Sequence, residues 1–230
     1  MGRVTSAPLP AAVLWDMDGT LVDTEPLWMA AETPLVESHG GTWTHEDALR
    51  LVGLGLHDAA RVLQDAGVKM SADAIVTHLT DEVMASLARE GVPFRPGARE
   101  LLADLRARGV KTALVTMSLR HMALSIAELI GPDAFDIVIA GDDATRPKPY
   151  PDPYLQACAG LGVDPTDCVA IEDSPNGLRA AVASGTTSLG VPMQVSLVGT
   201  GAHAVWPTLD GRTADDLAEL HATHRKARHV

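Results

Sequence analysis

The chain has 230 residues, of which 46% are hydrophobic and 21% are charged, so it contains enough apolar material for a buried core and intrinsic disorder is excluded. Its 30 acidic and 18 basic residues give a formal charge of −12, which excludes nucleic acid and anionic membranes as main partners because they carry the same sign. Aromatic residues make up only 3% of the chain, which leaves few platforms for stacking the bases of a single strand.

Short β-prone runs alternate with helical patterns along most of the chain. The β-prone runs lie at 11–15, 111–116, 136–140, 168–171, 186–191 and 202–206. Helical patterns lie at 96–109, 119–130 and 154–161, and a polar one lies at 212–230. This alternation predicts a parallel α/β sheet flanked by helices.

One interval interrupts the alternation. Between residues 25 and 90 the patterns are helical, at 25–38, 44–51, 56–66 and 71–89, with glycines between them. A helical block inserted after the first strand predicts a second, smaller domain. We therefore expect a core made of residues 1–20 and 96–230, an all-helical domain at 21–95, and hinges near 20–24 and 91–97.

Cysteine usage and the longest uncharged stretch bear on the compartment. Cys158 and Cys168 lack the companions that a disulfide framework or a metal site needs. The N-terminal residues have no apolar segment of signal-peptide length. Residues 180–209 lack Asp, Glu, Lys and Arg, but glycines and prolines break them up, so they do not suit a membrane helix. These features predict a reducing, cytoplasmic compartment and no membrane association.

Two carboxylates, Asp16 and Asp18, stand at the end of the first β-prone run and are followed by Gly19 and Thr20. Side chains alternate along an extended chain, so the two carboxylates project to the same side. In a parallel α/β sheet, ligands bind beyond the carboxyl ends of the strands. Carboxylates this close repel one another unless a cation or a shared proton lies between them. The alternative is an ordinary acidic turn, since Asp-Gly is a common turn pair.

A second acidic pair, Glu172 and Asp173, follows another apolar run. If the two strands are neighbours, this pair meets Asp16 at the edge of the sheet. A few carboxylates completed by water and substrate phosphate describe a Mg²⁺ site. The alternative is a plain helix start with Ser174 as its cap and Pro175 in its first turn, and both interpretations can hold together.

Two further residues are weak signals individually. Lys148 stands among three prolines, which restrain its backbone and suit a charge that must be positioned, although a surface loop with a solvated lysine looks the same. Thr116 ends an apolar strand before a helix, where its hydroxyl can donate to a phosphoryl oxygen, but a threonine at a strand end is ordinary.

Together and in this order, the segments Asp16-Met17-Asp18-Gly19-Thr20, Thr116, Lys148 and Glu172-Asp173 resemble the four motifs of the haloacid dehalogenase-like hydrolase superfamily. The helical block resembles the cap domain of its phosphatase and β-phosphoglucomutase-like subgroup. The resemblance covers nearly the whole chain and implies a Rossmann-like core with an inserted all-helical cap domain. Trp15 departs from the usual phenylalanine, and Met117 puts an apolar side chain near the phosphate pocket, where asparagine or glycine is common.

The resemblance implies a Mg²⁺-dependent phosphatase acting on a small phosphomonoester, such as a sugar or polyol phosphate. Asp16 would attack phosphorus and form an aspartyl phosphate. Asp18 would protonate the leaving oxygen and then activate the attacking water. Lys148 and Thr116 would hold the equatorial phosphate oxygens.

The resemblance also implies two sets of binding residues. The expected metal ligands are Asp16, the backbone carbonyl of Asp18, and Asp173 with Glu172 in support. The expected substrate contacts are Gly19, Thr20, Ser118, Glu25 and Asn176. Glu25 and Trp28 either face the substrate or form a helix start with a core tryptophan.

Other reactions within the superfamily fit less well. Asp18 argues against a dehalogenase, which has no alkoxide to protonate, and Lys69 beside a turn glycine does not suit the Schiff-base lysine of phosphonate hydrolysis. A β-phosphoglucomutase-like phosphotransferase is the closer alternative. Leu56 stands where its second phosphate-binding arginine would fall, which favours hydrolysis. A third hypothesis, a non-catalytic binding module on the same fold, conflicts with the intact acidic and basic motif residues.

Overall fold

The computed structural model describes residues 7–227 and contains one six-stranded sheet. Its strands are β1 (Ala12–Trp15), β2 (Lys111–Val115), β3 (Ile137–Ile139), β4 (Cys168–Glu172), β5 (Thr187–Gly190) and β6 (Ala204–Val205). The order is β3-β2-β1-β4-β5-β6 and every pairing is parallel, so the predicted α/β fold is confirmed. Two terminal segments lie outside the described residues, 1–6 and 228–230. The first belongs to the segment in which no signal peptide is expected, and the second is the end of the predicted last helix.

Helices cover both faces of this sheet. They are α5 (Ala98–Ala107), α6 (Arg120–Ile130), α7 (Asp152–Leu161), α8 (Pro175–Ser184) and α9 (Ala214–Ala227). Side chains alternate along β1, so Val13 and Trp15 join the core cluster that contains residues of α5, α6 and α9. Leu14 lies in the opposite cluster with Tyr154 of α7 and Ala180 of α8. Burial on both faces explains why the strands read as continuous apolar runs.

Four helices lie between β1 and α5, and we call them the cap helices. They are α1 (Glu25–Ser38), α2 (His45–Leu49), α3 (Leu56–Asp65) and α4 (Ala72–Glu90). Residues 25–90 are all described and contain no strand, as the sequence predicts. The chain enters and leaves this block through segments that pair with each other, since Val22 bridges Phe94 and Arg95 N donates to the carbonyl of Leu21 at 3.0 Å. The two-domain division at residues 20–21 and 95–96 stays a prediction.

Some boundaries differ from those that the sequence predicts. Helix α2 ends at Leu49 rather than at residue 51, and the chain then turns through Gly53, whose φ of 74° no helix accommodates. Helix α7 begins at Asp152, two residues earlier than expected, because Pro153 is tolerated in a first helical turn.

Two features bear on the predicted environment of the protein. Both cysteines are buried free thiols. Within residues 7–227, no helix combines the length and the apolar character that a bilayer crossing requires.

Candidate active site

The strand register brings the sequence motifs to one edge of the sheet. Trp15 of β1 pairs with Leu114 of β2 on one side and with Ile171 of β4 on the other. The residues that follow these three partners therefore leave the sheet together, at the carboxyl ends of parallel strands. Strand numbers increase outward from β1 on one side of the sheet and outward from β4 on the other. The gap between β1 and β4 is therefore the topological switch point, where α/β folds bind ligands at the carboxyl ends of the strands.

Asp16 is buried at the carboxyl end of β1, where it forms an ion pair with Lys148. Its Oδ1 accepts a hydrogen bond of 2.7 Å from Nζ of Lys148. Burial and then repulsion from Glu172 raise the pKa of Asp16, Lys148 opposes both, and the resulting pKa is about 7. The carboxylate is thus poorly solvated and held in one orientation.

Both carboxyl oxygens of Asp18 accept hydrogen bonds, one from the start of the cap helices and the other from the end of β2. Its Oδ1 accepts from the hydroxyl of Thr24 and, at 3.4 Å, from Nε1 of Trp28 on the first cap helix. Its Oδ2 accepts from Oγ of Ser118 at 2.7 Å and from Oγ1 of Thr116 at 3.4 Å. The carboxyl of Asp18 therefore joins the end of β2 to the start of α1.

Lys148 donates to three buried acceptors, which uses all three of its protons. Nζ lies 2.7 Å from Oδ1 of Asp16, 2.6 Å from Oε1 of Glu172 and 2.9 Å from the carbonyl of Val115. Burial alone lowers the pKa of Lys148, but the two carboxylates raise it above its ordinary value, so the side chain stays protonated. The structure excludes the alternative of a solvated surface lysine.

Glu172 is saturated with hydrogen-bond donors. Oε1 accepts from Lys148 and from the hydroxyl of Tyr154 at 2.7 Å, while Oε2 accepts from N and Oγ of Ser174 at 3.3 and 3.2 Å. A Cβ at Gly177 would lie 1.9 Å from this carboxyl, so only glycine allows α8 to begin here. Glu172 thus anchors Lys148 and the helix start, and the two interpretations of this segment do hold together.

Asp173 carries a buried oxygen that has no hydrogen-bond partner among the described residues. This oxygen is Oδ2, while Oδ1 accepts from Oγ1 of Thr20 at 3.3 Å. Gly19, with a φ of 82°, packs so closely that a Cβ would lie 2.1 Å from Oδ2. Burial, and then repulsion from Asp16 and Glu172, raise the pKa of Asp173.

A divalent cation fits this donor set. Oxygen atoms of Asp16, Glu172 and Asp173 lie within 4.8 Å of one another, and all three side chains are buried. These three carboxyls repel one another, Lys148 bonds only Asp16 and Glu172, and Oδ2 of Asp173 has no partner among the described residues, so the group matches the hard oxygen ligands of Mg²⁺. The backbone carbonyl of Asp18 as a further ligand stays a prediction.

A pocket extends from these residues to the cap helices and contains about 840 Å³ of empty space, part of it open to solvent. Asp16, Asp18, Thr116, Lys148 and Asp173 line its core half. The cap half contains Glu25, Trp28, Glu32 and several leucines, among them Leu56 at the start of α3. Met117 also lines the pocket, as predicted.

The residues predicted to contact substrate have different surroundings. Glu25 and Ser118 line the pocket, although the hydroxyl of Ser118 is engaged with Asp18. Thr20 lies behind Asp173 and contacts it. Asn176 donates from Nδ2 to the carbonyl of Gly53 at 3.1 Å, so it links the core to the turn before α3 and does not line the pocket.

Sequence reasoning missed four residues around this site. Tyr154 and Glu32 were not singled out, and neither was Trp43, whose Nε1 donates to Oε2 of Glu32 at 3.0 Å. Ser174 was expected only as a helix cap, but it also supports Glu172. Tyr154 had one available signal, because it follows Lys148 within a short proline-rich segment.

Comparison with known proteins agrees with this geometry. The sequence profile of the haloacid dehalogenase-like hydrolases matches residues 10–185. The chain is 33% identical to hexitol phosphatase B of Escherichia coli K12 over 185 residues, which cover 79% of this chain and 83% of that protein.

Solved structures show the same likeness. CbbY from Rhodobacter sphaeroides, in complex with xylulose-(1,5)-bisphosphate, is 27% identical with a TM-score of 0.78 and covers 89% of this chain and 97% of its own. The fold also matches β-phosphoglucomutase from Clostridium difficile, with a TM-score of 0.82 at 21% identity, over 95% and 100% of the two chains. With the motif residues gathered at the switch point of a parallel sheet, the chain belongs to the haloacid dehalogenase-like hydrolases.

Proposed function

We propose that this hydrolase is a Mg²⁺-dependent phosphatase that cleaves a small phosphomonoester of the sugar- or polyol-phosphate type through an aspartyl-phosphate intermediate. One observation carries the proposal: Asp16 and Asp18 face one pocket, with Lys148 on Asp16 and an unpartnered oxygen of Asp173 beside them. The names of the relatives support the substrate class, since one is a hexitol phosphatase and another is described as a phosphorylated carbohydrates phosphatase.

In the first step, Asp16 attacks the phosphorus atom. A bond forms between its carboxylate oxygen and phosphorus, and the bond from phosphorus to the substrate oxygen breaks. Lys148 orients Asp16 for this attack, because its ammonium is fixed between Asp16 and Glu172. Asp18 gives its proton to the departing oxygen, which leaves as an alcohol.

In the second step, water attacks the phosphorus of the aspartyl phosphate. Asp18, now a carboxylate, takes a proton from that water, inorganic phosphate leaves, and the Asp16 carboxylate is regenerated. Hydrogen bonds from Ser118 and Trp28 keep Asp18 in place through both steps. One residue therefore serves as acid and then as base.

Asp16 and Asp173, with Glu172 behind them, would hold the cation. When bound, Mg²⁺ supplies positive charge that reduces repulsion between the Asp16 carboxylate and a dianionic phosphate. The excess of acidic residues over the whole chain does not prevent phosphate binding, because Lys148 and a divalent cation offset the charge of the carboxylates that surround them.

The pocket favours hydrolysis over the mutase alternative. Among the described residues that line it, Lys148 is the single basic side chain, and it is already bonded to two carboxylates. Leu56 lies in the cap half, at the position where a mutase would carry its second phosphate-binding arginine. A bisphosphate that must turn around between two steps has no second anchor in this pocket.

Phosphate release from a panel of sugar and polyol phosphates tests the proposal. We expect turnover with Mg²⁺ and none with EDTA, and a loss of about a thousandfold or more in kcat for Asp16→Asn. Asp81→Asn, an exposed acid on α4, is the matched control and should keep full activity. Retained activity in Asp16→Asn, or a requirement for a hexose bisphosphate activator, would contradict the proposal.

A further inference from the structure

The cap half of the pocket contains a second carboxyl group that the proposed chemistry does not use. Glu32 lies on α1 with only 5% of its surface exposed. Its Oε2 accepts from the indole of Trp43, which is itself 8% exposed, and its other oxygen has no hydrogen-bond partner among the described residues. The indole fixes the carboxyl while leaving one oxygen for a ligand.

Glu32 shares a helix face with two other pocket residues. Glu25 stands two turns before it and Trp28 stands between them, so the spacing places all three on the same side of α1. All three line the pocket. Glu25 has no hydrogen bond among the described residues either, and it interacts with Asp18, so a molecule that extends from the phosphate site along α1 meets two carboxyl groups, first Glu25 and then Glu32.

No cation balances these two groups within the lining of the pocket. Lys148 is the single basic residue among the described lining residues, and Asp16 and Glu172 already use it. The rest of the cap half is apolar, with Leu54, Val76 and Leu79 among its walls. An apolar wall strengthens the interaction of a carboxyl with any charge that approaches it.

The protonation of the two carboxyls is consistent with a neutral ligand. Burial, and then repulsion from Asp18 and Glu32, raise the pKa of Glu25 to about 8. Burial raises the pKa of Glu32 and the hydrogen bond from Trp43 opposes it, with a resulting pKa of about 7. Each carboxyl can hydrogen-bond a hydroxyl group in both states, as donor and acceptor below its raised pKa and as acceptor above it.

We propose that Glu32, fixed by Trp43, acts with Glu25 as a specificity determinant that admits phosphomonoesters with an uncharged, hydroxyl-bearing far end and rejects those that carry a second phosphate or a carboxylate. The inference rests on the proposed phosphatase function and narrows its substrates. It also separates this chain from the relative whose structure contains a bisphosphate.

Two substrates of equal length test the inference. Sorbitol 6-phosphate and 6-phosphogluconate share six carbons and differ at the far end, where one has a hydroxymethyl group and the other a carboxylate. At pH 9, above both raised pKa values, the two carboxyls are charged, and we expect the wild-type kcat/KM to favour sorbitol 6-phosphate by about 100-fold or more, since like charges placed together at a desolvated contact are strongly disfavoured. Glu32→Gln should narrow this ratio about tenfold, mainly through a lower KM for 6-phosphogluconate.

Glu37→Gln is the matched control, because Glu37 lies on the same helix but is exposed and does not line the pocket. It should leave the ratio unchanged. If Glu32→Gln does not fold, Glu25→Gln replaces it in the same comparison. The ratio of the two wild-type kcat/KM values needs no variant and tests the inference in either case. Equal wild-type kcat/KM for the two substrates would overturn the inference.

Two further outcomes are distinct. Glucosamine 6-phosphate carries an ammonium group that glucose 6-phosphate lacks. A preference of more than about tenfold for the glucosamine ester would overturn the inference that the site selects an uncharged group, and would show that it selects a cation. Hydrolysis of none of these esters, with or without Mg²⁺, would instead contradict the proposed phosphatase function.

Discussion

Glu32→Gln should make the protein more stable than the wild type at alkaline pH, although it replaces a buried residue. The pKa of Glu32 is raised from 4.5 to about 7 by burial, so below pH 4.5 both the folded and the unfolded chain hold this proton. Between pH 4.5 and 7 the unfolded chain loses it and the folded chain keeps it, so stability falls as the pH rises. A shift of this size corresponds to up to about 3 kcal/mol of unfolding free energy above pH 7.

Glutamine has the shape of the protonated acid and accepts from Trp43, but it does not titrate. The difference in unfolding free energy between variant and wild type should therefore rise with pH, by up to about 3 kcal/mol between pH 4.5 and 8.5. Urea titrations at several pH values, in EDTA so that metal binding adds no stability, measure this difference. Glu37→Gln, the same substitution at an exposed position of the same helix, is measured alongside as the control.

A difference for Glu32→Gln that stays constant within about 0.5 kcal/mol over this range would refute the reasoning, since the carboxyl would then titrate alike in both states. Glu25 lies nearby and interacts with Glu32. Repeating the series in a Glu25→Gln background separates the two carboxyls.

Two more substitutions test residues that pack against the metal-binding carboxyls. Gly19→Ala should abolish Mg²⁺-stimulated activity, because its Cβ would lie 2.1 Å from Oδ2 of Asp173. Gly40→Ala is the control, since Gly40 has the same φ of 82° and nothing within 4 Å, and it should cost only the backbone strain of about 1–2 kcal/mol in stability. Activity assays and urea titrations of the two variants check this, and equal effects of the two substitutions would contradict it. Tyr154→Phe removes a donor of 2.7 Å from Glu172, so we expect a loss of about 1–3 kcal/mol in stability and a lower kcat at nearly constant KM. Unchanged kcat would show that this hydrogen bond does not position Lys148.

The cluster of motif carboxylates at the carboxyl ends of the strands was predictable, because each motif lies directly at the end of an apolar run. Asp16 and Asp18 sit two residues apart at a strand end, and Glu172 follows a neighbouring apolar run, so alternation and parallel pairing bring them together. The cap helices were predictable as helices for the same reason, since their periodicity lies within each segment.

Contacts that depend on packing were not predictable. In the sequence Glu32 resembles any acidic residue within a helix, and only the fold shows that Trp43, eleven residues later, donates to it. Asn176 lies next to the motif of Glu172 and Asp173, yet its amide turns to the carbonyl of Gly53 in a different part of the chain. Such pairings depend on how the cap segments pack against one another and against the core, which no local pattern encodes.

The most direct test of the central claim is to locate the phosphoryl group during turnover. Wild-type enzyme mixed with Mg²⁺ and sorbitol 6-phosphate, or the best ester of the panel, is quenched in acid within one turnover, digested and analysed by mass spectrometry. We predict a phosphorylated peptide with the group on Asp16, and none in Asp16→Asn or after the substrate is exhausted. Rapid phosphate release with an unmodified Asp16 at every time point would contradict the mechanism.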